Sequence, residues 1–374
     1  MSHPIPFAWI SCVGEKGGAE TLMIECLRAL DRSQFEPHVI QLRPGPLEGL
    51  LAEIGVRVHV LREHRMRQAH RVTQAIAQIR SLTRRHGFRL LHSNGFRAHV
   101  YGGLAALSAG VPEVWTGHTF EHPGWSTRAI LAIPTRYVLA NCPRTADFYR
   151  PRVNAPVEVI WPGVNAAVLA KGTPRPELAT RFGLPAKARW VSMGARLQRY
   201  KGQIEFLRAI AATASHDLHG VIIGGSLFGQ ESDYERELKS LAKQLGIADR
   251  VTFTGFIPDA DVAGLLAASY VTIHPAHEED FGLSVAEAQA LGVATIAFAA
   301  VGPAAIILDG ETGWLAPIGD QASLNRFLAE SLADPAETGR RGNRAKTECL
   351  RRFGIDEHVR RTMAAYRMVV AKDG

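Results

Sequence analysis

The segment from His274 to Gly292, HPAHEEDFGLSVAEAQALG, carries residue types suited to binding a phosphate and a sugar together. The apolar run YVTIHP predicts a strand that ends here, and the pattern after Gly282 predicts a helix. The first N–H groups of such a helix have no intrahelical acceptor, so they suit a phosphate or diphosphate. Two carboxylates, Glu279 and Glu287, flank the helix start and could accept paired hydrogen bonds from vicinal hydroxyls of a ribose or a hexose. Each glutamate could alternatively be a helix-capping or solvated residue.

A second candidate is the loop MGARLQRYKGQ, which follows the predicted strand ARWVSMG. It contains Arg196 and Lys201, a guanidinium and an ammonium that together suit a diphosphate with about two negative charges. Such cations would stabilise charge that develops on a leaving group. The alternative interpretation is two solvated loop cations.

Two further candidates lie in the first half of the chain. Gly14, Gly17 and Gly18 follow the first predicted strand and would let the backbone approach a ligand closely, although a plain strand–helix turn explains them equally well. The sequence there matches neither G-x-x-x-x-G-K-S/T nor G-x-G-x-x-G. His118, in VWTGHTFEH, follows another predicted strand and could face the same ligand, or could be structural.

Histidines and carboxylates between His274 and Asp280 raise the alternative of a metal site. The spacing is not H-E-x-x-H, and the four cysteines are scattered without C-x-x-C spacing. We therefore predict no metal and no cofactor, and expect the thiols to be buried in a reducing compartment.

The elements that position these residues form a repeated pattern. Short apolar, β-branched runs alternate with amphipathic stretches along all 374 residues, which predicts βαβ units and parallel sheets. We predict an α/β protein of two Rossmann-like domains facing a cleft, with residues 1–168 on the acceptor side and residues 169–354 on the donor side. Residues 355–374 are predicted to form a helix that packs back on the first domain. Ligands of such sheets bind beyond the carboxyl ends of the strands, where all the candidates fall.

The net charge of +7 lies entirely in residues 1–168, which hold 19 Lys and Arg against 12 Asp and Glu. This asymmetry favours an anionic partner for the first half of the chain. Arginines crowd together in two groups: Arg62, Arg65, Arg67 and Arg71, then Arg80, Arg84, Arg85 and Arg89. They could form a solvated face, or contact an anionic membrane or a phosphorylated lipid-linked glycan. Nucleic acid is not expected, because no basic-aromatic motif is present.

Taken together, the motifs resemble those of the retaining nucleotide-sugar glycosyltransferases of the GT-B fold, family 4 (glycosyl transferases group 1). The stretch from Glu279 to Glu287, EDFGLSVAE, resembles that family's Glu-x7-Glu motif, and GARLQRYKG resembles its Gly-Arg-Leu…Lys-Gly loop. GGAE, VIWPGVN and DGETGWL are further landmarks in matching order.

The resemblance implies roles for the matching residues. Arg196 and Lys201 would hold the donor diphosphate, Glu287 the ribose hydroxyls and Glu279 the transferred sugar. It implies further donor contacts from the Phe-Gly-Leu centre, with Phe281, Gly282 and Leu283, and from Gly17 and Gly18. His118 would lie near the reacting carbon, so the implied catalytic residues are His118, Arg196, Lys201 and Glu279.

The same resemblance implies a metal-independent hexosyltransferase that retains the anomeric configuration and acts on a glycan or lipid-linked glycan. Lipopolysaccharide or polysaccharide biosynthesis in the cytoplasm, at the inner face of the membrane, is the implied setting. Ala305 stands where the family has a glutamate, so we predict no particular sugar from that loop. Asn165, where Asp is usual, and Ala276, where Ser is common, are departures that we expect to be tolerated. A sugar-nucleotide epimerase of the same fold and a non-catalytic sugar-binding protein are the alternatives.

Overall fold

The computed structural model describes residues 3–61, 69–118, 124–213, 215, 217–226 and 232–371. Its strands are β1 (Ile5–Ser11), β2 (Phe35–Gln41), β3 (Arg57–Val60), β4 (Leu90–Asn94), β5 (Glu113–Gly117), β6 (Tyr137–Ala140), β7 (Val157–Val159), β8 (Arg189–Gly194), β9 (Leu218–Ile223), β10 (Val251–Phe253), β11 (Val271–His274), β12 (Thr295–Phe298) and β13 (Gly313–Ala316).

Helices alternate with these strands. They are α1 (Gly18–Arg28), α2 (Leu47–Glu53), α3 (Ala69–His86), α4 (Phe96–Ala109), α5 (Trp125–Leu131), α6 (Pro143–Tyr149), α7 (Ala166–Leu169), α8 (Arg175–Phe182), α9 (Gln203–Ala212), α10 (Ser232–Gln244), α11 (Asp259–Ala267), α12 (Leu283–Ala290), α13 (Val301–Ile306), α14 (Gln321–Ala333), α15 (Pro335–Phe353) and α16 (Ile355–Ala371). One 3-10 turn, Arg199–Lys201, precedes α9.

The chain divides into two compact units. Unit 1 consists of Met1–Gly163 with Ile355–Gly374, and unit 2 of Val164–Gly354. The predicted boundary, after Val168, lies within α7, which belongs to unit 2. Asn165, which stands where the family usually has Asp, caps α7 because its Oδ1 accepts hydrogen bonds from the N–H groups of Ala167 and Val168.

Unit 1 is built on a seven-stranded parallel sheet in the order β3-β2-β1-β4-β5-β6-β7. The strands are apolar on both faces because helices cover both sides, and β1 is buried from Phe7 to Ser11. The last helix of the chain, α16, contributes to this core. Its Tyr366 ring packs edge-to-face against Phe7 and Phe35, and its hydroxyl is hydrogen-bonded to His92.

Unit 2 repeats the design with six parallel strands in the order β10-β9-β8-β11-β12-β13. Its core packs Trp190, Phe206 and Phe298, all fully buried, between sheet and helices. The order reverses between β8 and β11, so the loops after these two strands leave the sheet side by side. The prediction of two Rossmann-like domains with parallel sheets is confirmed.

None of the described helices is long and apolar enough to cross a membrane. The uncharged stretch from Ala288 to Leu308 is instead divided among the end of α12, β12 and α13. All four cysteines are buried, and none of them forms a disulfide.

Candidate active site

The carboxylate of Glu279 is the centre of a hydrogen-bonded polar cluster in unit 2. Lys201 donates to Glu279 Oε2 across 2.7 Å, and His274 Nε2 lies 3.0 Å from the same oxygen. Both Lys201 and Glu279 are largely buried, with side chains 13% and 15% exposed. Residues 78 positions apart in sequence thus form one charge cluster at the carboxyl ends of β8 and β11.

The surroundings keep Glu279 ionised. Burial raises the pKa of its carboxyl, but the hydrogen bonds and charges of His274 and Lys201 outweigh burial and hold the pKa at about 2. At neutral pH the group is therefore a fixed carboxylate. An ionised carboxylate only accepts hydrogen bonds, which suits it to the hydroxyls of a sugar.

Backbone packing brings Lys201 to this position. Gly202, directly after the 3-10 turn, has a φ of 84°, and a Cβ there would lie 2.0 Å from the carbonyl oxygen of Pro275. The loop also receives a hydrogen bond from His277 N to Tyr200 O of 2.8 Å. Only glycine permits both the left-handed conformation and the close approach of the two loops.

Arg196 lies on the same loop as Lys201, with an exposed side chain. Its carbonyl accepts a 2.8 Å hydrogen bond from Gln203 Nε2, a fully buried side chain of α9, which fixes the backbone at Arg196. The guanidinium is therefore attached to a rigid loop but open to solvent.

Helix α12 begins just after Glu279. Its N-cap, Gly282, has a φ of 87°, a conformation that favours glycine, and Gly302 N donates to Glu279 O across 2.9 Å to hold the entering chain. Val285, Ala286, Ala288, Gln289 and Ala290 of α12 are buried, whereas Leu283, Ser284 and Glu287 are only partly so. Glu287 and the first N–H groups of the helix therefore share the accessible side of α12.

Phe281 differs from the expected donor contact. Its side chain is 5% exposed and packs edge-to-face against Phe353, with ring centroids 5.6 Å apart. The ring anchors the loop between Glu279 and α12 to the end of α15. Because the Phe281 ring is buried, a ligand could contact the loop between Glu279 and α12 through its backbone groups and through the side chains next to Phe281.

In unit 1, the glycine turn after β1 contains glycines of two kinds. A Cβ on Gly14 would lie 2.2 Å from the carbonyl oxygen of Pro44, so this glycine is required by the packing of two loops. Gly17 and Gly18 are exposed and begin α1. A Cβ on Gly18 would meet nothing within 4 Å. The protein's own packing therefore leaves room above Gly18 at a helix start.

His118 follows β5 and is held by two asparagines. Its Nε2 lies 2.7 Å from Asn94 Oδ1, and its carbonyl accepts a 2.8 Å hydrogen bond from Asn141 Nδ2. Burial, with a smaller contribution from His358, lowers the pKa of His118 to about 4. The imidazole is therefore neutral at pH 7, with Nε2–H donating to Asn94 and a lone pair on Nδ1.

The predicted site residues thus fall into two groups. The loops after β8 and β11 bring Lys201 and Glu279 into contact, with Arg196 and α12 on the same two segments. Gly17, Gly18 and His118 lie at the carboxyl edge of the sheet of unit 1, after β1 and β5.

Two polar residues that contact the predicted site residues are not predicted for these roles from the sequence. The sequence suggests His274 only as a metal ligand, but this side chain is 3% exposed and hydrogen-bonded to Glu279. His277 Nε2 lies 3.1 Å from Glu205. The two histidines thus point to different carboxylates. Asn94, which orients His118, ends β4; its signal was a polar side chain followed by glycine at a strand end.

Two Rossmann-like domains, with charged loops after the central strands of the second, place the chain in the GT-B class. The family model described as "Glycosyltransferase Family 4" matches residues 16–168, and that described as "Glycosyl transferases group 1" matches residues 174–348. The chain belongs to the group 1 glycosyltransferases and is a glycosyltransferase enzyme. Enzymes of this group bind nucleotide-sugar donors.

Individual relatives agree with this family. A D-inositol 3-phosphate glycosyltransferase of Streptomyces avermitilis is 27% identical, over 94% of this chain and 83% of its own. The fold resembles that of Anabaena HepE in complex with UDP and glucose, with a TM-score of 0.85 and 22% identity over 97% of this chain and 100% of that one. It also resembles the lipopolysaccharide outer core galactosyltransferase WaaB, with a TM-score of 0.73 and 16% identity over 97% and 99% of the two chains.

Proposed function

We propose that the protein is a retaining hexosyltransferase that moves a sugar from a nucleoside-diphosphate sugar to a phosphorylated or lipid-linked glycan, without a metal ion in the transfer step. The observation that carries this proposal is the Lys201–Glu279–His274 cluster beside the start of α12. It joins a cation, a carboxylate that is ionised at neutral pH and a helix N-terminus within two neighbouring loops.

The donor diphosphate is proposed to bind Arg196, Lys201 and the first N–H groups of α12. The charge of Lys201 is already balanced by Glu279, which lies 2.7 Å away. Arg196 and the helix N-terminus therefore supply much of the net attraction for the diphosphate, and the guanidinium can bind two of its oxygens at once. The same groups would stabilise the diphosphate as it leaves.

The two glutamates are proposed to hold the sugars. Glu287, on the accessible side of α12, accepts hydrogen bonds from the ribose hydroxyls. Glu279 accepts hydrogen bonds from the transferred hexose, since its pKa of about 2 keeps it ionised. The hydrogen bonds from Lys201 and His274 reduce the nucleophilicity of Glu279 Oε2, which argues against a covalent intermediate on this carboxylate.

Without a covalent intermediate, retention of the anomeric configuration requires a front-face reaction. The bond between the anomeric carbon and the diphosphate oxygen breaks, the acceptor oxygen bonds to the same face of that carbon, and the acceptor proton passes to the leaving diphosphate. His118 is proposed to lie near this carbon. Its neutral ring accepts a hydrogen bond from a sugar hydroxyl at Nδ1, while Asn94 holds Nε2.

The acceptor is proposed to carry phosphate. The charge excess of unit 1 supports this, and so does the name of the Streptomyces relative, a D-inositol 3-phosphate glycosyltransferase. Arg71, Arg84, Arg85 and Arg89 are exposed on and just after α3, whereas Arg62, Arg65 and Arg67 lie outside the described residues. An acceptor of lipopolysaccharide or another surface polysaccharide, reached at an anionic membrane surface, is consistent with this charge.

Substitution of the two cations tests the donor site. Arg196→Ala and Lys201→Ala should each lower transfer from the best of the UDP-, GDP- and ADP-sugars by about 10²-fold or more, the scale of losing one charge-stabilising donor. The matched control is Arg199→Ala, in the same turn, where the exposed guanidinium pairs with Glu237. It should retain near-normal transfer. Near-normal turnover in both Arg196→Ala and Lys201→Ala would refute the assignment.

Two further readouts sharpen this test. Transfer should persist in excess chelator, and loss of activity that only a divalent cation restores would contradict metal independence. Product analysis with the donor alone should give no epimerised sugar nucleotide. Accumulation of an epimer would instead identify a sugar-nucleotide epimerase.

A further inference from the structure

Three histidines meet at the edge of the sheet of unit 1, on elements that hold none of the residues assigned to donor binding; one of the three directly follows Arg84 and Arg85. They are His38 of β2, His59 of the edge strand β3 and His86, the last residue of α3. One ring nitrogen of each lies within 4.8 Å of the others. Within the described part of the chain, this is the one group of three or more His, Cys, Asp or Glu residues that could hold a metal ion.

The sheet register explains why the first two histidines meet. In the parallel ladder, His59 pairs with Ile40, two residues after His38, so the two imidazoles are diagonal neighbours on one face of the sheet. His38 Nδ1 lies 2.9 Å from His59 Nε2, and the two rings are nearly parallel. Helix α3 covers this face and ends with His86, whose ring centroid lies about 5 Å from both.

The hydrogen bonds of His38 fix which of its nitrogens carries a lone pair. His38 Nε2 lies 3.4 Å from Glu36 Oε1, so Nε2–H donates to the carboxylate and Nδ1 is left unprotonated. A carboxylate that accepts from the far nitrogen of an imidazole is the usual support of a metal-binding histidine. The near nitrogen, Nδ1, is the one that faces His59.

The cluster is shielded on one side and open on the other. Phe88, which is buried, backs the cluster and contacts the rings of His38 and His86. His59 and His86 are partly exposed, so an ion can enter from solvent.

We propose that His38, His59 and His86 bind one divalent transition-metal ion of the class that prefers imidazole, such as Zn²⁺, with water in the fourth position. Tetrahedral bonds of about 2.0 Å place ligand nitrogens about 3.3 Å apart, so the 2.9 Å pair has to open by a few tenths of an ångström. The widest of the three separations, which is at most 4.8 Å, has to close by up to about 1.5 Å, a rotamer-scale movement of a partly exposed ring. The ion replaces the proton shared by His38 and His59. It ties edge strand β3 and the end of α3 to β2, and is a structural site separate from the transfer reaction.

Metal titration of the full chain tests the site. After chelator treatment, calorimetry with Zn²⁺ should give one ion per chain, and Co²⁺ should give the visible absorption of a nitrogen-bound tetrahedral ion. His59→Ala and His86→Ala should each weaken Zn²⁺ binding by about 100-fold or more. Glu36→Gln should weaken it by about 10-fold, because a supporting carboxylate is lost. The control is His70→Ala, an exposed histidine at the other end of α3, which should bind as the unaltered chain does.

A second measurement guards against variants that simply misfold. Zn²⁺ should raise the Tm of the unaltered chain and of His70→Ala, but not that of His59→Ala or His86→Ala, with far-UV circular dichroism unchanged in all of them. An unaltered chain that binds no Zn²⁺, or binding that survives both substitutions, would overturn the proposal. Donor binding and transfer are read separately and should not depend on this ion.

Discussion

The two units differ in the charge state of the polar groups near their sheets. In unit 1, burial lowers the pKa values of His92, His118 and His358, so these imidazoles are neutral at pH 7. In unit 2, Glu279 is kept ionised by its contacts with Lys201 and His274. One unit thus offers neutral hydrogen-bonding groups, and the other offers fixed charge.

This difference suits the proposed division of labour. A diphosphate needs positive charge and oriented N–H groups, and unit 2 provides them on loops that are already held in place. The proposed role of His118 is hydrogen bonding to an uncharged hydroxyl, which a neutral imidazole performs without adding charge near the reacting carbon. His219 of unit 2 also has a lowered pKa through burial, but it belongs to β9 and its Nε2 is hydrogen-bonded to Thr252.

The largest expected stability effect concerns the charge cluster of unit 2. Lys201→Met removes one partner of a largely buried ion pair and should lower the free energy of unfolding by about 3 kcal/mol, measured by urea denaturation. The double substitution Lys201→Met with Glu279→Gln should recover much of this loss, because no unpaired charge remains. Both variants should lack transfer activity.

The matched control for stability is Arg199→Met. Its pair with Glu237 is exposed and screened by solvent, so its loss should lower the free energy of unfolding far less than the loss of Lys201 does. If Lys201→Met lowered the free energy of unfolding no more than Arg199→Met does, the buried charge pair of unit 2 would not be the fixed charge that distinguishes it from unit 1.

Acid should destabilise unit 1 at a higher pH than unit 2. A histidine whose pKa falls on folding is protonated more readily in the unfolded chain, so stability is complete above the unfolded pKa of about 6.5 and declines as the pH falls toward 4. His358, with a pKa of about 4, should cost unit 1 about 2 kcal/mol at pH 5 relative to neutral pH. The pKa of Glu279 is lowered from 4.5 to about 2. The stability that this carboxylate contributes is therefore complete above pH 4.5 and is lost only as the pH falls from 4.5 toward 2.

Hydrogen exchange between pH 7 and pH 4.5 measures this difference. Amides of the core strands of unit 1 should lose protection before those of unit 2. His358→Gln should flatten the pH dependence of unit 1, whereas His70→Gln, at an exposed position, should leave it unchanged. Equal loss of protection in both units would contradict the assigned protonation states.

Most of the fold could be predicted from local patterns, because strands covered on both faces form continuous apolar runs. Strand β13 is the exception, because GWLA is only four residues long and follows DGET, whose composition indicates a turn. The pattern also could not place the end of unit 1 at Gly163, since the composition of the whole connection from Val164 to Pro185 resembles a linker.

The candidate site residues could be identified one by one from the sequence, but the contacts between them could not. Lys201 and Glu279 meet because β8 and β11 are neighbours at the point where the strand order reverses, and no local signal specifies that pairing. The contact of His38 with His59 depends in the same way on the register between β2 and β3. Sequence spacing identifies residue types, whereas sheet order decides which of them touch.

The smallest expected effect concerns the glycine turn of unit 1. Gly18, the first residue of α1, is exposed, and a Cβ there meets nothing within 4 Å. Gly18→Ala should therefore keep or slightly raise stability, by up to about 1 kcal/mol. If the donor phosphate approaches the backbone at this turn, the added methyl group should raise the donor KM by about 10-fold, with a smaller change in kcat.

The control for this substitution is Gly49→Ala, in the interior of α2, where a Cβ likewise meets nothing within 4 Å. It should change stability by a similar amount and leave the donor KM unaltered, so a difference between the two variants isolates the ligand. A donor KM that is unchanged in Gly18→Ala would remove the glycine turn from the donor site. The charged loops of unit 2 would then have to bind the diphosphate without a contribution from Gly18.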